Sequence, residues 1–180
     1  MKTTNIIAIS VLSVLMLLTC CGKDDSSPQN SVTTENSWKL DSYSYSRRVS
    51  DQTSTTYTNG DPFTIIVIDS NIATANSPFV NCSFAITFNT STVGNYSIKS
   101  QNTALTNTKL KNMSIQCTIG SGVGTGAIYQ SVDSSLTATV TQADGKYVIT
   151  IPSGVTLTRT VNDGLAQAPT TFVLTAEKVR

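Results

Sequence analysis

The sequence predicts an all-β domain behind a membrane anchor, built as an antiparallel β-sandwich or a closed β-barrel of about nine or ten strands. Three observations carry this. From Ser37 onward, apolar residues recur at every second position rather than at helical spacing. Clusters of Asn, Asp, Gly and Pro interrupt these runs about every 8 to 15 residues. Threonine, at once β-branched and polar, fills many alternate positions, as on the wet face of a strand.

Taken in chain order, Ser37 to Arg47 reads as the first strand, with Trp38 and Leu40 on one face and Lys39, Asp41, Tyr43, Tyr45 and Arg47 on the other. Asn59-Gly60-Asp61-Pro62 is a turn, and Phe63 to Ile68 is apolar almost throughout, as expected of a central strand covered on both faces. Asp69-Ser70-Asn71 reads as the next turn. Val80, Cys82, Phe84, Ile86 and Phe88 then line one face, with Asn81, Ser83, Ala85 and Thr87 between them. Gly94-Asn95 is a turn signal, and Thr103 to Lys111 has room for a helical turn or two. Met113, Ile115, Cys117 and Ile119 repeat the alternation before the glycine-rich stretch Gly120 to Gly126. Leu136, Ala138 and Val140 lead to Asp144-Gly145, a strong hairpin signal, and Tyr147 to Ile151 returns as the partner. After Pro152-Ser153-Gly154, Val155 and Leu157 form a strand ending near Asn162-Asp163-Gly164. Phe172, Leu174 and Ala176 close the domain. Sandwich and barrel share this pattern.

The N-terminus is of another kind. Lys2 precedes an apolar run from Ile6 to Leu18 with the length of a secretion signal, short for a transmembrane helix. Leu18-Thr19-Cys20-Cys21-Gly22 resembles the lipobox of bacterial lipoproteins, an aliphatic residue and two small ones before the cysteine that is lipidated. Gly22-Lys23-Asp24-Asp25 then resembles the start of mature Bacteroidota lipoproteins with a surface-export signal. The resemblance implies removal of residues 1–20, lipidation (palmitate among the acyl chains) at Cys21, and a place in the outer membrane facing the cell surface. Cys20, with Leu17 three positions before it, is the other register. Residues 21–35 read as lipidated N-terminus and flexible tether, and residues 36–180 as a single domain. Ser37-Trp38-Lys39-Leu40 is faintly similar to the first strand of lipocalin-like lipoproteins, which implies a barrel whose floor the tryptophan plugs.

Composition narrows the function. The chain has no histidine, which removes the commonest general base and the commonest metal ligand. A chain beginning at Cys21 carries eleven basic and eleven acidic residues, so it is neutral. That argues against nucleic acid and against electrostatic attraction to anionic lipids. Cys82 and Cys117 fall on the apolar faces of their strands and are either a disulfide or two buried thiols. Tyr43, Tyr45 and Arg47 form the candidate ligand-binding stripe, since tyrosines offer flat apolar faces with polar tips. Asp61, Asp69, Asp133 and Asp163 sit in loops without the spacing of a calcium loop, and Gly120 to Gly126 lacks the lysine of a phosphate loop. The expectation is a non-catalytic binding or structural module of the cell envelope, with no cofactor, no metal and no catalytic residues. Its partners would be the membrane through the lipid anchor, and a glycan, a peptide or an envelope protein. The alternatives are a lipocalin-like carrier of a small apolar ligand and, least favoured, a hydrolase.

Overall fold

A computed structural model describes residues 36–72, 77–121 and 124–180, which belong to one compact unit. The expected signal, Cys20, Cys21 and the tether lie outside the described residues. Among the described residues there are twelve strands and one short helix, against the nine or ten strands expected. The chain runs β1 (Ser37–Leu40), β2 (Tyr43–Thr56), β3 (Pro62–Ile72), β4 (Asn81–Asn89), β5 (Gly94–Ile98), α1 (Gln101–Thr106), β6 (Asn112–Gly120), β7 (Gly126–Ser131), β8 (Thr137–Ala143), β9 (Lys146–Thr150), β10 (Val155–Asp163), β11 (Thr171–Ala176) and β12 (Lys178–Val179).

Eight of these strands close on themselves. Going round, β1 pairs β2, then β3, β4, β6, β7, β10 and β11 follow, and β11 pairs β1 again, every pair antiparallel. An eight-stranded ring has an interior just wide enough for side chains to fill. The alternation read from sequence provides them. Cys82, Phe84, Ile86 and Phe88 of β4 are buried, as are Met113, Ile115, Cys117 and Ile119 of β6. Trp38, Leu40, Tyr45, Tyr129, Leu157, Phe172 and Leu174 join the same cluster. Val80, expected on that face, precedes β4 and is exposed; Phe79 is the buried residue there.

The wall divides at β6. Its residues Gln116 to Gly120 pair with β7, whereas Asn112 and Met113 pair in parallel with Ser97 and Ile98 of β5. A parallel neighbour needs a crossover, and α1 sits on it. From β5 a second wall continues through β8, β9 and β12. It reaches back to β2 without a backbone ladder. The Gln52 amide stands in for one, donating to Tyr147 O at 2.7 Å and accepting from Tyr147 N at 2.8 Å. α1 is seated by Asn89, fully buried, whose Nδ2 donates to the carbonyls of Ala104 and Asn107 at 3.0 and 3.1 Å. Asp133 holds the start of the helix, accepting from Ser100 N at 2.7 Å and Thr103 Oγ1 at 2.9 Å.

Some local expectations change. β3 extends through Asp69-Ser70-Asn71, read as a turn from composition, because it stays paired with the long β2. Its outer face is open: Val67 is 46 % exposed, so the strand is covered on one side only. Gly94-Asn95 begins β5, and Asn162-Asp163 ends β10 rather than following it.

Candidate functional site

The first tyrosine expectation is overturned by a turn. β1 and β2 are two strands, joined at Asp41-Ser42, with Leu40 opposite Tyr43 and Trp38 opposite Tyr45. A two-residue turn advances the alternation by one position, so Tyr43 and Tyr45 share the inner face with Leu40 and Trp38. Asp41 takes the left-handed backbone conformation at φ 49°, and its carboxylate accepts from Val173 N at 2.8 Å. Tyr45 is buried and stacks on Trp38 with ring centroids 6.0 Å apart. Tyr43 meets Phe79 edge-on at 5.1 Å and Phe172 at 6.3 Å. Only Arg47 of the three remains outside. The solvent-side stripe of Tyr43, Tyr45 and Arg47 is therefore not formed.

Burial raises the Tyr45 phenol well above its ordinary range. Its hydroxyl makes no hydrogen bond among the described residues; the neighbouring Ser77 hydroxyl is engaged with the backbone of Phe79.

Cys82 and Cys117 do come together, as free thiols with sulfurs 3.6 Å apart. The candidate disulfide is not made. Phe84 faces Cys117 and Cys82 faces Ile119, so the two cysteines lie on a ladder diagonal. Diagonal neighbours stand about 7–8 Å apart, beyond the usual span between bridged cysteines of roughly 4.4–6.8 Å. Trp38 Nε1 donates to Cys82 Sγ at 3.4 Å. Burial pushes the Cys117 thiol well above its normal range, with the Cys82 sulfur adding to the effect. Both are buried free thiols acting as small hydrophobes.

Three of the loop aspartates have structural partners. Asp61 accepts from Asn59 Nδ2 and Thr108 Oγ1, Asp69 pairs with Arg48, and Asp133 caps α1. No cluster of three or more metal-ligating side chains exists among the described residues. The glycine-rich stretch is the β6–β7 connection, with residues 122–123 outside the described set.

Sequence reasoning missed a surface cleft of about 160 Å³ where the two ends of the domain meet. Asn36, Thr141, Ala143, Val148, Lys178 and Arg180 line it. Backbone groups take part in each bond of its frame. Asn36 N donates to Lys178 O at 2.7 Å, and Arg180 N donates to Asn36 Oδ1 at 3.0 Å. Arg47 N donates to Asn36 O, and Arg47 Nη1 to Arg180 O, at 2.8 and 2.7 Å. Asn36 holds φ 68°, which asparagine tolerates better than most residues. The Arg180 guanidinium has Asp144 at 3.7 Å, and that carboxylate is 91 % exposed. No signal in the sequence links Asn36 to Arg180, 144 positions apart.

No family model, curated protein or solved structure matches the chain.

Proposed function

We propose that this chain is a lipid-anchored β-barrel module of the bacterial cell envelope, held at Cys21 in the outer membrane and exposed at the cell surface. It acts without catalysis, through its outer surface, as a binding or structural domain. The observation that supports this best is the filled interior. Trp38, Tyr45, Phe84, Tyr129 and Phe172, together with the two thiols, occupy the space that a carrier would keep for its ligand. A partner such as a glycan, a peptide or another envelope protein would meet the outside of the barrel. The absence of histidine in the sequence leaves a hydrolase without its commonest base.

The anchor is tested by labelling cells with tagged palmitate. The wild-type chain incorporates label and partitions with membranes. Cys21→Ala loses both; retention of label in that variant moves the anchor to Cys20, and an unlabelled wild type overturns the reading. Protease treatment of whole cells removes the domain if it faces outward.

A further inference from the structure

We infer that the cleft at Asn36, Lys178 and Arg180 docks on the phosphate headgroups of an anionic membrane, so that this end of the barrel lies against the bilayer. The inference rests on the lipid anchor proposed above and adds a partner for one face of the domain. Three observations support it.

The first is the placing of charge. A mature chain beginning at Cys21 is neutral, so attraction cannot come from net charge and must come from the cations at the cleft. Lys178 and Arg180 line the cleft, Lys146 pairs with the lining residue Ala143 across the β8–β9 turn, and Arg47 donates to Arg180 O. The carboxylates nearest in the chain are Asp144, in that turn, and Glu177, beside Lys178. The Asp144–Arg180 pair is long and its carboxylate is open to solvent, so water and salt weaken it and a phosphate can replace it. A guanidinium suits such an exchange, since its donors match phosphate geometry.

The second is the lining of the cleft. Ala143 and Val148 give it apolar groups, Thr141 and Asn36 polar ones, and Lys178 and Arg180 the cations. Arg180 is held by its own backbone N and O, so its place in the cleft does not depend on its side chain.

The third is position. Asn36 is the cleft residue from which the chain runs back to Cys21, about fifteen residues away. A random coil of fifteen residues spans roughly 20 Å on average, and any chain of that length at most about 50 Å. A lipid anchor at Cys21 would add to this contact by raising the effective concentration of headgroups at the cleft.

The test uses the mature chain from Cys21 with Cys21→Ser, so that no acyl chain contributes. Flotation is measured with phosphatidylcholine vesicles and with vesicles containing phosphatidylglycerol. The expected result is binding to the anionic vesicles only, weakened by salt, and reduced roughly tenfold or more in Lys178→Glu/Arg180→Glu. Lys109→Glu, near α1, is the control and binds as wild type. Both variants keep the wild-type melting temperature, because the backbone bonds of Arg180 survive the substitution.

Equal binding to both vesicle types, or an equal loss in the Lys109 control, overturns the inference. So does full competition by millimolar inorganic phosphate without vesicle binding, which would assign the cleft to a free anion. Binding to a protein from the envelope with no vesicle binding does the same. A native chain lacking acyl mass at Cys21 would sink the anchor reading alone, since the vesicle assay does not depend on it.

Discussion

At the scale of single residues, the Tyr45 hydroxyl is buried and, among the described residues, without a hydrogen bond, and an unpaired buried hydroxyl costs stability. Tyr45→Phe keeps the stack on Trp38 and removes that cost. Denaturant unfolding is expected to show a change between zero and a gain of about 1 kcal/mol; a loss above about 1 kcal/mol would mean that the hydroxyl is bonded. The thiols have a different readout. Native protein resists alkylation, because both sulfurs are buried and Cys117 is held protonated. After denaturation without reductant, Cys82 and Cys117 each take up one alkyl group by mass; no uptake would reveal a bridge. Both cases show what alternation can and cannot tell. It placed Cys82 and Cys117 inward correctly. It placed Tyr45 outward because one turn, Asp41-Ser42, carries no glycine or proline to announce itself.

At the scale of elements, the most consequential contact is the one that replaces a ladder. Gln52 pairs both backbone groups of Tyr147 and is the tie between β2 and β9. Gln52→Ala leaves that N–H and C=O without their partners, at a cost of about 1–3 kcal/mol. Hydrogen exchange at the Tyr147 amide should accelerate, while amides on the β4–β6 ladder keep their protection. Unchanged exchange would mean that another group closes the seam. The strands with clear alternation, β4, β6, β8 and β11, were legible in the sequence because one face of each is buried. The far half of β2 was not. Its residues Thr53 to Thr56 are exposed and polar, so no apolar period marks them as a strand. β12 is two residues long and was missed for want of any pattern.

At the scale of the whole molecule, burial of weak acids decides the response to pH. The phenols of Tyr45, Tyr57 and Tyr129 and the thiol of Cys117 are all raised, with burial as the leading cause. Each is neutral in the fold and ionises more readily in the unfolded chain. Their contribution to stability is therefore complete below the unfolded values, about 8.5 for the thiol and about 10 for phenols, and is lost as pH rises through the folded ones. Melting temperature is expected to hold near neutral pH and to fall from about pH 9 upward; a flat profile to pH 11 would contradict the burial of these groups. On the acid side, bonds from Ser100 and Thr103 lower the Asp133 carboxyl, which is exposed. The class of fold was legible at this scale, and ring closure was not. Alternation tells which side of a strand is dry, but not which strand lies beside it.

The closure of β1 on β11 also constrains when the domain can form. Asp41 and Val173 meet from positions 132 residues apart, so the first strand has no partner on one side until nearly the last residues are available. β2, β3 and β4 follow one another and can zip early, but ring closure must wait, and such non-local pairing is slow. A chain crossing a membrane N-terminus first would therefore remain open until its C-terminal strands had followed. Trp38, buried at that junction, would register arrival by its fluorescence as the final step.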